Sequence, residues 1–250
     1  MTTPAAAKHS DFYVWASLAC VAVAFLGFTP TYFAPLARGA FNASPAIHIH
    51  GIVFFVWTLF FAYQTRLAAT GRVTRHREIG LIGISLATAM TFLGLLVAVA
   101  SAHRAGALGF LNEAKQFMIV PVSGIVMFAI LFACAIAYVK DREVHKRLML
   151  VATASILDAA IARWFLTFLA PPPVPGASPV PPVPVTIPPA LLCDLFIVAG
   201  IVHDWRTRGR PHPAYLIAGG AVLVQQLLRA PVATSALWDS IAVWLLHVTG

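Results

Sequence analysis

Charge is what this chain has least of. Its 250 residues include 17 basic and nine acidic side chains, 10% of the total, against 60% hydrophobic. A water-soluble domain carries about a quarter of its residues as charge, so a soluble globular fold is excluded. Cysteine is scarce as well: Cys20, Cys134 and Cys193 lie inside apolar runs, with no CxxC spacing and no histidine in zinc-finger register. That excludes a disulfide frame or a structural zinc site. The chain has no Walker loop, GxSxG, HExxH or dinucleotide fingerprint, so soluble-type catalysis has no motif behind it. The last long apolar run contains no lysine that could form a retinal Schiff base, and the multi-histidine boxes of membrane desaturases are missing.

What is present is apolar sequence in helix-length pieces. A spanning helix needs about 20 largely apolar residues, and glycine, proline and charge clusters divide the chain into seven such stretches. The pattern predicts spans at 12–29, 46–64, 78–100, 116–139, 146–170, 190–205 and 213–230, the sixth being short. The fold class is therefore an all-α integral membrane protein: one seven-helix transmembrane domain with a short C-terminal helix, Ala236 to Val248, read as interfacial or re-entrant. The first stretch is too long for a signal-peptide core and lacks a small-residue cleavage site, so it reads as a retained helix.

The net charge of +8 then reports topology. Lys8, Arg66, Arg72, Arg75, Arg77, Lys140, Arg142, Lys146, Arg147, Arg206, Arg208 and Arg210 all fall on one side, 12 of the 17 basic residues. The positive-inside rule makes that side cytoplasmic, with the N-terminus inside and the C-terminus outside, and it accounts for the charge without nucleic acid. The connection 171–189 contains ten prolines and no charge. It is expected on the outer face as extended polyproline II, either a stiff spacer or a flap over an outward-facing cavity.

An ionisable group in hydrocarbon is costly, so each one inside a span is a functional candidate. Counting at about 1.5 Å per residue from the cytoplasmic ends places Arg163 and Arg229 near 24 Å, with Asp194 and His50 at a similar level. Asp158 and Gln225 fall nearer the midplane, and His48 just above His50. One reading pairs Arg163 with Asp194 to fix helix packing, while Arg229 snorkels to the outer interface. The other makes the group an outward-facing site for something anionic, with one arginine free to pair with a carboxylate or phosphate.

Histidines mark both faces. His48 and His50 point about 200° apart on a regular helix, so neither grips an ion with the other, and His103 or His247 would have to complete a site. On the cytoplasmic side His76, His145 and His203 are expected to converge. A bis-histidine haem needs two imidazoles from different helices at one level, which His76 and His145 satisfy on paper. Alternatively these histidines simply belong to basic interfacial collars.

The run His48-Ile49-His50-Gly51, the Arg-His-Arg-x-x-Gly of residues 75–80 and the His-Lys-Arg-Leu-Met of residues 145–149, with Arg163 beyond, resemble a family of uncharacterised bacterial multi-spanning membrane proteins over about residues 46–165. The His-Lys-x-x-Met element is also similar to one in small membrane proteins associated with haem-copper oxidase assembly. Histidines at opposite ends of successive helices resemble, more loosely, diheme cytochrome-b-type carriers, although here the fourth span holds no histidine. These resemblances imply a protein of the bacterial cytoplasmic membrane that binds haem b, acting in electron transfer or respiratory-complex assembly. The residues themselves leave open a transporter or receptor for a small anionic or amphipathic ligand, and a structural subunit of a membrane complex.

Overall fold

The computed structural model describes residues 11–172 and 174–249; Lys8, counted above with the cytoplasmic charge, lies outside them. Among the described residues seven helices are long and apolar enough to cross a membrane: Phe12–Ala37, Pro45–Ala69, Val73–Ala107, Leu111–Ala137, Arg142–Phe168, Val183–Arg208 and Pro213–Ala233. They are called the first to seventh spans below. The shorter terminal helix, Ala236–Thr249, follows. Consecutive helices pack as antiparallel neighbours through the first five spans, and the first span also lies against the fifth. Side chains such as Phe92, Leu169 and Ile217 face outward with most of their surface exposed. In a bilayer that is the expected finish of a helix, because lipid rather than water is the solvent there.

The spans differ from the predicted ones where backbone chemistry overrides composition. The first continues past Thr29 through a π-helical turn, Thr29–Phe33, to Ala37. Pro30 sits in the first turn of that segment. The third begins at Val73, so Arg75, His76 and Arg77 are helical. The sixth is not short: the last part of the proline-rich segment forms a 3₁₀ turn, Val183–Thr186, and runs into the helix Ile187–Cys193. Pro188 and Pro189 fall in the first turn, where no backbone N–H is needed. Val183 and Thr186 are buried, so this piece is part of the bundle.

Two spans are interrupted. The fifth consists of Arg142–Ser155 and Asp158–Phe168, separated by a tightened turn in which the Leu157 N–H bonds to Ala154 O at 3.1 Å. The sixth is interrupted at Asp194, whose N–H bonds to Leu191 O at 3.2 Å. Such tightened turns inside helices often mark functional positions.

Close approach fixes the remaining geometry. A Cβ on Gly27 would lie 2.6 Å from the Ala160 carbonyl oxygen, so the first span touches the fifth almost backbone to backbone. Gly200 faces the ring of Tyr215 in the same way. The main core runs between the first six spans around Trp57, Met90, Phe128 and Leu150 and reaches Tyr215 and Val222 on the seventh. A second core, between the third and fourth spans and the terminal helix, is built on Met118, Trp238 and Ala242. There Trp238 donates through Nε1 to Lys115 O at 2.8 Å and Asp239 pairs with Lys115.

The end carrying Arg66 to Arg77, Lys140 to Arg142 and Arg206 to Arg210 is called the basic end, and the opposite one the proline end.

Candidate functional site

Four spans place polar side chains at one depth inside the bundle. At about 1.5 Å per residue, Ser123, Asp158, Asp194 and Arg229 all lie roughly 20–24 Å from the basic end. Asp158 opens the second half of the fifth span and Asp194 sits at the interruption of the sixth, so each irregular turn delivers a carboxylate. Arg229, 2% exposed, donates through Nη1 to Asp158 Oδ2 at 2.8 Å. Gln225, with its amide oxygen turned inward, accepts from Ser123 Oγ at 2.5 Å and from Arg229 Nε at 3.0 Å. Gly124 lies beside the guanidinium, where a Cβ would make ordinary contact with Nη2 at 3.6 Å. Asp194 accepts from Gln226 Nε2 at 3.1 Å, and the other amide atom, Gln226 Oε1, is buried without a partner.

The expected pairing is therefore corrected. Arg163 forms no ion pair with Asp194, and Arg229 does not snorkel to the interface but pairs with Asp158 inside the protein. One cation faces two carboxylates, and the one left with only an amide is Asp194. An unpaired charge or an unmet acceptor in such surroundings costs several kcal/mol, on the order of a whole interaction.

Arg163 belongs to a second group farther out, roughly 30 Å along its span. It is exposed, and its guanidinium lies over the Phe28 ring at 5.4 Å. Among the described residues no carboxylate pairs with it. The same rim holds the π-helical turn of the first span, where Tyr32 OH and His48 Nδ1 share a 3.0 Å hydrogen bond. His50 packs on Phe54, ring centroids 4.3 Å apart. His50 Nδ1 and Thr31 Oγ1 are both buried without a hydrogen-bond partner. Among the described residues no group of three or more His, Cys, Asp or Glu is arranged to hold a metal.

At the basic end His76 and His145 do meet: their rings are 6.3 Å apart and nearly perpendicular. His145 Nδ1–H donates to Ala135 O at 2.8 Å, which leaves Nε2 as its open nitrogen. His76 Nδ1 is buried and unpartnered, as are both amide atoms of Gln64 on the neighbouring second span. His203, expected in the same group, instead stacks on Phe12 at 4.3 Å.

The largest correction concerns Arg147, which sequence assigned to the surface collar. Arg147 and Asp204 are each 1% exposed. Arg147 Nε donates to Asp204 Oδ2 at 2.7 Å, a second bond joins Nη2 to Oδ1, and Nη1 reaches both Glu143 O and Glu143 Oε2 at 2.7 Å. Arg208 also pairs with Glu143, and Asp204 accepts the His212 N–H at 3.2 Å. Arg147 lies over Tyr215, whose OH donates to Tyr13 OH at 3.2 Å. This bidentate network ties the fifth, sixth and seventh spans together and satisfies every group in it, which marks it as architectural. Beside it, burial lowers the pKa of His212 below the usual imidazole range, and the charges of Arg147 and Arg208 add to the effect. Neutral His212 caps the seventh span by accepting the Ala214 N–H at Nδ1.

Sequence reading named Asp158, Arg163, Asp194, Arg229, His48, His50, His76 and His145. The structure joins the first, third and fourth of these in one site, leaves Arg163, His48 and His50 at a separate rim, and pairs His76 with His145. Reading by charge alone passed over Ser123, Gln226 and Gln64. Compared with known protein families, with curated proteins and with solved structures, the chain matches none of them.

Proposed function

We propose that this chain binds a small cation inside the membrane, at the Asp194 carboxylate between the interrupted fifth and sixth spans, and conducts it across. The observation that carries this reading is the surplus of acceptors: Arg229 is used by Asp158, Asp194 accepts an amide N–H from Gln226, and Gln226 Oε1 is buried without a partner. Buried intramembrane charge is rarely kept without a role. Irregular backbone at that depth is tolerated where it lines a site, and transporters use interrupted helices in this way. A cation is preferred here to the anionic ligand because the guanidinium at this level, Arg229, is already paired with Asp158. A proton or a small ammonium-type cation fits, since either adds a donor and positive charge at a carboxylate that has an amide rather than a cation as its partner, beside the unmet Gln226 Oε1. The clustering of Arg and Lys at one end supports a cytoplasmic basic end and a bacterial cytoplasmic-membrane location.

The test is flux in sealed proteoliposomes carrying a pH-sensitive dye, with proton, sodium, potassium and methylammonium gradients applied in turn. Wild type is expected to dissipate one of them, and Asp194→Asn to lose the flux while Glu143→Gln keeps it. Flux unchanged in Asp194→Asn, or absent for every gradient in wild type, overturns the reading.

A second reading rests on a different observation, the His76–His145 pair. Two imidazoles sharing one iron through bonds of about 2 Å have ring centres about 6 Å apart, and the observed 6.3 Å suits that. His145 is held by a carbonyl at Nδ1, as metal-ligating histidines commonly are. Arg75 and Arg77, adjacent to His76 in the sequence, would offer cations for propionates at this end. A haem b there would supply one-electron chemistry, in electron transfer or within a respiratory complex. A purified protein grown with haem supply that shows no Soret band, and no difference between wild type and His145→Ala, removes this reading.

A further inference from the structure

Arg163 and the surface around it have no part in either site above. A groove of about 260 Å³ between the first and fifth spans is lined by Ala22, Val23, Leu26, Gly27, Ile161 and Trp164. It is almost wholly apolar and opens sideways, where a bilayer would stand. Its floor exists because Gly27 allows the first span to meet Ala160 without a side chain between. One wall is held in place by Trp164 Nε1–H donating to Leu26 O at 3.0 Å. At its upper end, next in sequence to Trp164, stands the Arg163 guanidinium over Phe28. No carboxylate among the described residues neutralises it, and its position roughly 30 Å along the span is headgroup depth for a hydrocarbon core of about 30 Å.

We propose that this surface is a binding site for an anionic phospholipid, its phosphate on Arg163 and part of one acyl chain in the groove. Three features select that occupant. The groove offers nothing to a polar solute. The guanidinium needs an anion, and phosphodiester oxygens accept its forked donors with good geometry. The two lie in the order, headgroup above chain, that a lipid of the proline-end leaflet presents. Phe28 holds the guanidinium on its face, reducing the freedom lost when the phosphate arrives.

The experiment uses full-length protein stripped of lipid in a neutral detergent. Phosphatidylglycerol, phosphatidylcholine and inorganic phosphate are titrated separately, with retained lipid read by native mass spectrometry and Tm by intrinsic fluorescence. Phosphatidylglycerol is expected to stay bound and raise Tm, phosphatidylcholine to bind several-fold more weakly, and inorganic phosphate to do neither. Arg163→Gln should weaken phosphatidylglycerol about fivefold, the scale of one basic residue at an anionic membrane, and bring it level with phosphatidylcholine. Val23→Phe, which fills the groove, should weaken both lipids. Equal binding of the two lipids to wild type, or full phosphatidylglycerol binding by Arg163→Gln, overturns the proposal. So does stabilisation by inorganic phosphate alone. If Arg163→Gln does not fold, Val23→Phe decides: unchanged phosphatidylglycerol binding overturns the proposal.

Discussion

Asp204→Asn is the most demanding test of the packing described above. The substitution keeps size and one acceptor oxygen but puts an NH₂ group opposite one of the two Arg147 nitrogens that Asp204 now receives. A donor then faces a donor, and a guanidinium that is 1% exposed keeps only Glu143 as a counter-charge. Removing one partner of a buried ion pair costs about 3–5 kcal/mol. Because Glu143 stays in contact, the lower end applies, about 3 kcal/mol. At about 2–4 °C per kcal/mol for a chain of this size, Tm should fall by about 6–12 °C. The measurement is thermal unfolding in one detergent at fixed lipid content, for wild type, Asp204→Asn and the double variant Arg147→Met/Asp204→Leu. The double variant buries no unpaired charge and should lose less than the single one, although His212 N–H gives up its acceptor. Asp204→Asn melting within 2 °C of wild type, or the double variant melting below the single, would refute the claim that this network is a buried, mutually satisfied clamp.

Three more outcomes are expected. Asp158→Asn leaves Arg229 buried without its counter-charge and should lower stability by about 3 kcal/mol, more than Asp194→Asn, which exchanges a carboxylate for an amide that Gln226 can still pair with; paired denaturation curves compare them. Gly200→Ala puts a methyl group 2.3 Å from the Tyr215 ring, whose OH is held by Tyr13, and should cost about 1–3 kcal/mol by overpacking, read as a lower Tm with an unchanged gel-filtration profile. For His212 the folded pKa lies below the unfolded one. The native state thus binds fewer protons, and the stability this cap contributes is complete above pH about 6.5 and is lost as pH falls below it. His212→Asn, which caps without titrating, should remove that part of the pH dependence; an identical pH profile in variant and wild type would contradict it.

The seven spans were legible because length and hydropathy alone decide which segments can cross a bilayer. What was not legible was direction around each helix. Counted from the predicted span ends Arg163 and Arg229 come out at equal depth, yet Arg163 lies farther out over Phe28 while Arg229 turns inward to Asp158. An interruption at Ile156 and Leu157 alters the phase of everything after it, so a strict 100° per residue misplaces Arg163 relative to Arg147. Arg147 was hidden for a related reason. It follows His145 and Lys146 in a basic run that reads as surface, and only the fold brings Asp204, far along the chain, against it. The sixth span was underestimated because prolines were treated as breakers, whereas Pro188 and Pro189 occupy the first turn, where they do no harm. The amides were missed because Gln64 and Gln226 carry no charge to draw attention, and only burial without partners shows them to be unusual.

The two tightened turns also divide the bundle mechanically. On the basic side the Arg147 network welds the fifth, sixth and seventh spans into a stem. On the other side the segments Asp158–Phe168 and Ile187–Cys193 pack against each other, and the seventh span holds both, Asp158 through Arg229 and the end of Ile187–Cys193 through Gln226 bonded to Asp194. The tight contact of Gly27 with Ala160 lies beside the turn, where a pivot moves least. A rigid arm of 11 residues is about 16 Å long, so rocking it by about 10° displaces its tip by about 3 Å. That is the width of a water molecule, and because Arg229 and Gln226 fasten this region to the seventh span, such a displacement has to carry those bonds with it or break them.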